Sequence, residues 1–296
     1  MIDRALREHA IAWQGRAVAA IVVEVIAARG SVPRAAGTRM IVSAYESVGT
    51  IGGGHLELKA ITAARAMLER GDWSPREQHF ALGPSLGQCC GGAVTLAFAP
   101  LDAAALQRWP AAEPLFHLQL HGAGHVGRAI ASALAALDCE VDWFDQRDEE
   151  FPATTNLGSS WPAHIRCISV DTAEAEVRNA PPGAFYLVLT HEHALDLRIA
   201  GAILRRGDFA FFGLIGSKTK RMKFSRRLEE RGIAPATVAR MTCPIGLPGI
   251  EGKEPEVIAA GVVAQLLVER SRALRTMRAD EATAARHDPA AALDGG

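Results

Sequence analysis

The sequence predicts an α/β protein in which a small N-terminal α/β domain precedes a Rossmann-like domain with a doubly wound parallel sheet. The chain has 296 residues, which at roughly 150 residues per domain favours two domains. From residue 115 onward, short apolar strands alternate with amphipathic helices, which is the pattern of a parallel sheet covered by helices. A glycine-rich loop at residues 122–127 follows the first of these strands, where Rossmann domains bind phosphate.

The N-terminal domain is predicted over residues 1–105. Its extended segments are runs rich in Val and Ile beside turn residues, and its helix has apolar residues three to four positions apart. The predicted extended segments are 17–28, 38–43, 48–51 and 93–98, and the predicted helix is 55–70. Residues 106–114 are rich in Ala and Pro and are predicted to form a linker.

The C-terminal domain is predicted over residues 115–270. Its predicted strands are 115–120, 140–144, 165–170, 185–189 and 209–214, and its predicted helices are 127–137, 194–205, 217–231 and 254–269. Residues 271–296 are Ala-rich and polar, so we expect them to form a mobile tail.

Composition excludes several classes of protein. A formal net charge of −1 argues against a general nucleic-acid binder. No apolar run reaches the roughly 20 residues of a membrane-spanning helix, and the N-terminus lacks the basic-then-apolar order of a secretory signal. We therefore expect a cytoplasmic protein. The five cysteines are odd in number and include no Cys-x-x-Cys pair, which argues against a disulfide framework and a structural zinc site.

The loop at residues 122–127 has the sequence Gly-Ala-Gly-His-Val-Gly and contains His125. Gly122 permits a tight turn, Gly124 lets phosphate oxygens approach the backbone, and Gly127 lets the helix lie close to the strand. The free N–H groups at the start of the helix then face the anion. The alternative is a Rossmann domain that has lost its ligand.

Asp145 ends the second predicted strand of the C-terminal domain. This is the position at which an acidic residue binds ribose hydroxyls in Rossmann domains. Arg147 lies two residues later and could bind a phosphate instead.

Three polar side chains follow the fourth predicted strand: His191, His193 and Asp196. Loops at the carboxyl ends of strands line the ligand crevice of an open α/β sheet, so these side chains are candidate ligand contacts. They could also bind zinc or another divalent ion, although the further ligands of a metal hydrolase are not evident. Alternatively, His193 or Asp196 caps the following helix.

A basic cluster follows the fifth predicted strand. Gly216 frees the backbone and Ser217 can cap the helix that begins there. Lys218, Lys220 and Arg221 crowd the first turn, where positive charge opposes the helix dipole unless an anion is bound. The alternative is a solvated basic face.

Adjacent cysteines occur in a glycine-rich stretch that contains Gln88, Cys89, Cys90 and Gly91. A thiol on such a backbone could bind a soft metal such as molybdenum or carry sulfur. Alternatively, both cysteines are buried as small apolar side chains.

Two further turn-rich segments lie in the N-terminal domain, at residues 30–39 and 49–57. The second contains three successive glycines before a helix, which suggests an anion site. Both segments are equally typical of tight loops.

Taken together, these stretches resemble the XdhC/CoxI family of xanthine dehydrogenase accessory proteins. The last of them is the most specific, because it is long and has Gly and Pro in fixed order. The matching stretches are residues 30–34, 49–57, 87–92, 121–127, 190–196, 213–221 and 243–255.

The resemblance implies a chaperone of purine metabolism that does not turn over a substrate. Members of the family bind molybdenum cofactor, protect it, support its sulfuration with a cysteine desulfurase and deliver it to apo-xanthine dehydrogenase. The implied partners are the xanthine dehydrogenase molybdenum subunit, the desulfurase and a cofactor-biosynthesis protein, without nucleic acid or membrane. The final helix could support a homodimer.

We carry the implied cofactor contacts over to the candidate residues, with Cys90 favoured over Cys89 for the molybdenum contact. These residues are Gln88, Cys89, Cys90, Gly91, Gly122, Gly124, His125, Gly127, Asp145, His191, His193, Asp196, Gly216, Ser217, Lys218 and Arg221.

Other functions stay open on the residues alone. The glycine loop and Asp145 also suit an NAD(P)-dependent oxidoreductase, but no Ser-Tyr-x-x-x-Lys pattern for hydride transfer is present. NAD(P) bound without turnover is a further alternative. A metal hydrolase would use His191, His193 and Asp196, and a pure scaffold would dock the dehydrogenase and the desulfurase.

Overall fold

The computed structural model describes residues 3–82, 92–109 and 113–287. The chain forms two compact units, Met1–Glu113 and Pro114–Gly296. The division therefore falls within the predicted linker, and the first three residues of the second unit, 114–116, lead into its central strand. Gln88, Cys89, Cys90 and Gly91 lie outside the described residues.

Among its described residues, the N-terminal unit forms a five-stranded antiparallel sheet with the order β3-β2-β1-β5-β4. The strands are β1 (Ala20–Arg29), β2 (Arg39–Ser43), β3 (Ser47–Gly49), β4 (Arg76–Ala81) and β5 (Ala93–Pro100). The helices are α1 (Asp3–Gly15), α2 (Gly54–Arg70) and α3 (Ala103–Arg108).

The central strand β1 is covered on both faces, which explains its continuous apolar sequence. Ile21 and Val23 belong to one core cluster together with residues of α2. Val22 points to the opposite face, because side chains alternate along a strand, and packs in a second cluster with residues of α1 and α3.

Three elements of this unit escape sequence reasoning: α1, β4 and α3. The strand β4 has the polar sequence Arg-Glu-Gln-His-Phe-Ala at the edge of the sheet, and only Phe80 in it is buried. A strand with one buried side chain lacks the alternation that identifies strands. The helix α3 occupies residues in part assigned to the linker, and Asp102 caps it by accepting a hydrogen bond from the amide of Ala105 (2.7 Å).

The C-terminal unit forms a six-stranded parallel sheet with the order β11-β10-β9-β6-β7-β8. The strands are β6 (His117–His121), β7 (Glu140–Asp145), β8 (Ile165–Ser169), β9 (Phe185–Val188), β10 (Phe211–Leu214) and β11 (Met241–Thr242). The helices are α4 (His125–Leu134), α5 (Ala173–Glu176), α6 (His193–Arg206), α7 (Lys218–Glu230), α8 (Pro235–Ala239) and α9 (Pro255–His287), with 3₁₀ turns at Asp148–Glu150 and Val177–Asn179.

This strand order confirms the predicted doubly wound fold. The chain runs outward from β6 through β7 to β8, then returns to β9 on the other side of β6 and continues to β11. The direction of winding therefore reverses between β6 and β9, and ligands of such sheets bind in the crevice at that reversal.

Two core clusters cover the two faces of this sheet. On one face, α4 and α9 pack against the central strands through residues that include Ile130, Leu134, Val262 and Leu266. The other face is covered by helices α5 to α8.

The final helix continues to His287, through the first part of the segment 271–296 that the sequence predicts to be a mobile tail. Across the described ranges, no helix is long and apolar enough to span a membrane.

Candidate functional site

The loop between β6 and α4 lies at the reversal of strand order and touches the loop that follows β9. Gly122 has φ 122°, and a Cβ there would lie 2.4 Å from the carbonyl oxygen of Leu189. A Cβ at Gly127 would lie 2.1 Å from the carbonyl oxygen of Gly122. Both positions therefore require glycine, one for the turn and one for the close approach of α4 to the loop.

Gly124 differs from Gly122 and Gly127, because a Cβ there would meet no atom within 4 Å among the described residues. It is the N-cap of α4 and, as a glycine, supplies no side-chain cap to that helix. The backbone at Gly124 is therefore open, and His125 begins the helix beside it with an exposed side chain.

Asp145 at the end of β7 is buried and is hydrogen-bonded to the backbone of the glycine loop. Its carboxylate accepts hydrogen bonds from the Ala123 amide (2.7 Å), the Arg147 amide (3.0 Å), and Nε and Nη2 of Arg147 (3.0 and 3.2 Å). Burial alone would raise the pKa of Asp145, but these hydrogen bonds hold it below its usual value. Four bonds fill the usual acceptor capacity of a carboxylate, so a ribose would have to displace one of them.

Arg147, the alternative phosphate ligand, is also engaged. Besides Asp145, its guanidinium contacts Oε1 of Glu150 at 2.9 Å. Asp145 and Arg147, the two candidate ligands at the end of β7, thus form an ion pair with each other in this structure.

A buried ion pair joins the first turns of α6 and α7, the helices that follow β9 and β10. Asp196 Oδ2 accepts a hydrogen bond from Lys220 Nζ (2.6 Å), which also donates to the carbonyl oxygen of Ile215 (2.8 Å). Asp196 Oδ1 accepts from the amide (3.0 Å) and the hydroxyl (2.7 Å) of Thr190. Asp196 therefore anchors Thr190 at the mouth of the crevice, and its carboxylate is not presented to solvent.

The histidines of the same loop are exposed. The ring of His193 lies edge-on to Phe224, with centroids 6.5 Å apart. Within the described part of the chain, no three His, Cys, Asp or Glu side chains form a group that could hold a metal ion. His191, His193 and Asp196 thus do not form a metal site there.

The basic cluster at the start of α7 divides into an inner and an outer part. Ser217 caps the helix, its hydroxyl accepting a hydrogen bond from the Lys220 amide (3.2 Å), and Lys220 turns inward, its side chain lying within 4 Å of Gly216. Lys218 and Arg221 are exposed and supply positive charge at the carboxyl edge of the sheet.

Cys243 follows β11 and is buried near the same cluster, with Sγ 3.8 Å from the carbonyl oxygen of Ser217. Burial raises the pKa of its thiol, although Lys220 and Arg221 act in the opposite direction. The amide of Gly246 donates to Gln265 Oε1 (2.8 Å), which ties the glycine- and proline-rich stretch after Cys243 to α9.

The loop before α2 binds a carboxylate of the protein itself. Glu57 Oε2 accepts hydrogen bonds from the hydroxyl of Thr50 (2.5 Å) and from the amides of Ile51 (3.2 Å) and Gly53 (3.1 Å). The anion site that the sequence suggests at residues 49–57 is therefore occupied by Glu57.

One buried polar residue of the crevice escapes sequence reasoning. His121 ends β6 directly before Gly122 and is 1% exposed. The sequence could have indicated this residue, because a histidine that ends an apolar strand directly before the glycine loop is a candidate for a buried site residue.

Residues 118–266 match the family model described as the XdhC Rossmann domain. The chain belongs to the XdhC family. Residues 13–78 in addition match the model described as the XdhC and CoxI family.

A curated relative and a solved structure are similar to this XdhC-family chain. YqeB, an uncharacterized protein of Escherichia coli (strain K12), is 30% identical over 263 residues, which are 84% of this chain and 43% of YqeB. The chain thus spans less than half the length of that relative. The crystal structure of a xanthine dehydrogenase from Bacillus halodurans matches with a TM-score of 0.73 and 20% identity, covering 92% of this chain and 96% of that one. The match shows that the two share a fold.

Proposed function

We propose that this chain is a cytoplasmic accessory protein of xanthine dehydrogenase maturation that binds molybdenum cofactor, supports its sulfuration and delivers it to the apoenzyme. Membership of the XdhC family supports the accessory role. The observation that carries cofactor binding is the open glycine loop at the reversal of strand order, where α4 begins without a side-chain cap.

A comparison of three helix starts indicates where an anion would bind. At α2 the loop amides are bound by Glu57, and at α7 the hydroxyl of Ser217 accepts from the backbone. At α4 the Asp145 carboxylate binds the amide of Ala123 alone, the glycine N-cap supplies no side-chain cap, and Gly124 leaves the backbone open to approach. The start of α4 therefore suits the phosphate of the cofactor.

The residues present fit the anionic part of the cofactor at this point. The Gly124 backbone and the first turn of α4 would hold the phosphate, and Asp145 keeps the loop in shape through the Ala123 amide. Lys218 and Arg221 would raise the local positive potential at the same edge of the sheet. Gly122 and Gly127 keep the loops after β6 and β9 in contact.

We further propose that Cys90, or alternatively Cys89, contacts molybdenum or guides sulfur transfer. When bound, the cofactor would supply the molybdenum centre that is sulfurated with the help of a cysteine desulfurase. On this proposal the chain binds, shields and transfers, and it turns over no substrate. The dehydrogenase molybdenum subunit, the desulfurase and a cofactor-biosynthesis protein would be its partners.

The variant Gly124→Val tests the phosphate site without disturbing the fold. A Cβ at this position meets no atom of the described residues within 4 Å, and the two methyl groups of Val would cover the open backbone. We expect molybdopterin to bind at least tenfold more weakly to this variant, because a charged hydrogen bond is worth about 1.5 kcal/mol or more. Gly15→Val is the matched control, since a Cβ there also meets nothing within 4 Å, and it should bind as the wild type does. Equal affinity of Gly124→Val and Gly15→Val would contradict the proposed site.

NAD(P) is the second candidate ligand, because the strand order is that of dinucleotide-binding domains. Titration with NADH and NADPH, followed by fluorescence, tests it. Micromolar affinity together with turnover of a substrate would favour an oxidoreductase over an accessory protein.

A further inference from the structure

The side chain of His121 lies inside the C-terminal unit at the end of β6. Its ring stacks on Phe144 with centroids 5.1 Å apart. It belongs to neither of the ion pairs of the site, and in the chain it directly precedes Gly122, the first residue of the proposed phosphate-binding loop.

Hydrogen bonding determines which ring nitrogen of His121 carries the proton. Gln119 Nε2 donates to the carbonyl oxygen of Glu176 (2.8 Å), so Gln119 Oε1 faces His121. His121 Nε2 lies 3.3 Å from that oxygen and must therefore be the N–H donor, which leaves Nδ1 as an acceptor.

The acceptor Nδ1 is buried and has no hydrogen-bond partner among the residues that the structure describes. Burial lowers the pKa of His121 to about 3, with Asp142 opposing this shift, so the ring is neutral near pH 7. A buried acceptor without a partner is unfavourable, so a donor from an ordered water or from a bound ligand is needed to satisfy it.

His121 lines a small cavity next to the crevice. The cavity has a volume of about 10 Å³, and its other walls include Phe144, Ala173, Leu195, Thr190 and His191. This volume accommodates one group of the size of a water molecule. Thr190 and His191 belong to the loop after β9, which contacts the glycine loop at Gly122.

We infer that His121 is a specificity contact whose Nδ1 accepts a hydrogen bond from one hydroxyl or amino group of the ligand held at the glycine loop. This inference rests on the proposed function, in which the loop binds a cofactor. Because Nδ1 can only accept, the group that enters must be a donor, such as the amino group of a pterin or a hydroxyl of a ribose. A carbonyl or phosphate oxygen at this position would be repelled.

The test combines a direct probe of Nδ1 with substitutions. Wild-type protein containing ¹⁵N-labelled histidine is titrated separately with molybdopterin, AMP and inorganic phosphate while the Nδ1 resonance of His121 is followed. His121→Phe keeps a ring against Phe144 and removes the acceptor, and His121→Asn restores an acceptor near the position of Nδ1. His117→Phe is the control, because His117 lies on the same strand but pairs with Asp142 (2.9 Å).

We expect molybdopterin to shift the Nδ1 resonance and inorganic phosphate to leave it unchanged. Molybdopterin should bind about fivefold more weakly to His121→Phe, the loss expected for one hydrogen bond, with partial recovery in His121→Asn and no change in His117→Phe.

The outcomes separate this inference from the function on which it rests. If AMP moves Nδ1 and molybdopterin does not bind, the contact stands and the proposed function fails. If molybdopterin binds without moving Nδ1, the function stands and the contact is refuted. If no probe moves Nδ1, the contact is likewise refuted, and the cavity holds only water.

Discussion

The buried pair between Asp196 and Lys220 makes a sharp prediction about stability. The Asp196 side chain is 0% exposed and that of Lys220 is 11% exposed. Removing one charge of a buried pair leaves the other uncompensated, which costs about 3–5 kcal/mol. The variant Asp196→Asn keeps an acceptor for Thr190 and replaces the charged oxygen that faces Lys220 with a neutral amide group, so we expect a loss of about 3 kcal/mol in the free energy of unfolding.

Calorimetry and urea unfolding measure this loss. For a unit of this size, a change of 1 kcal/mol moves the melting temperature by roughly 2–4 °C, so the transition of the C-terminal unit should fall by roughly 6–12 °C. The double variant Asp196→Asn with Lys220→Met should recover part of the loss, because no charge is then left unpaired.

An exposed pair provides the control. Arg226 contacts Glu230 at 2.8 Å, with side chains 83% and 56% exposed, and Arg226→Met should change the free energy of unfolding by less than about 0.5 kcal/mol. The reasoning is refuted if Asp196→Asn costs no more than Arg226→Met, or if Lys220→Met adds its full cost to that of Asp196→Asn.

Three further predictions follow from single residues. Gly122→Ala should lower the free energy of unfolding by about 2 kcal/mol or more, because the residue has φ 122° and a close backbone neighbour. Gly124→Ala should be nearly neutral, and equal stabilities of the two variants in urea titrations would contradict this prediction. Glu57→Gln should lower the stability of the N-terminal unit by about 1–2 kcal/mol, because the Thr50 hydroxyl and two amides lose a charged acceptor, and amide exchange in that loop should quicken; unchanged exchange would count against it. The pKa of His121 is lowered from 6.5 to about 3, so between these pH values the unfolded chain binds more protons than the folded chain. This residue therefore makes the free energy of unfolding fall as pH falls, by up to about 1.4 kcal/mol per pH unit. His121→Phe should flatten this slope, and an unchanged slope would refute the prediction.

The parallel sheet could be predicted from the sequence because its strands are short apolar runs separated by helices. The glycine loop could also be predicted. Gly127 is required by its contact with the carbonyl oxygen of Gly122, and Gly122 by its contact with the carbonyl oxygen of Leu189 after the neighbouring strand. The amphipathic helix α2 followed from its buried residues at helical spacing.

The pairing of polar groups could not be predicted in this way. Lys220 lies 24 residues after Asp196, and nothing in the local pattern indicates that this lysine, and not Lys218, turns inward. The position of Asp145 in the sequence predicts a ribose ligand, but its hydrogen bonds to Ala123 and Arg147 form only in the folded loop. Such partners are selected by tertiary contacts, which sequence spacing does not encode.

The edges of the N-terminal unit escaped prediction for a different reason. The strand β4 has only Phe80 buried, so its sequence carries almost no alternation. In the final helix, the buried residues Ala259, Val262 and Leu266 lie at helical spacing, but the more polar sequence beyond residue 270 conceals its continuation to His287.

The proposed function makes this chain a carrier of molybdenum cofactor for another enzyme. The most direct measurement is to purify the protein without oxygen from cells that make the cofactor, quantify bound molybdenum and pterin, and then add apo-xanthine dehydrogenase. We predict molybdenum and pterin in a one-to-one ratio, and recovery of dehydrogenase activity in proportion to the cofactor that leaves the chain. A protein that carries neither component, or one that retains both and activates no dehydrogenase, would contradict the account.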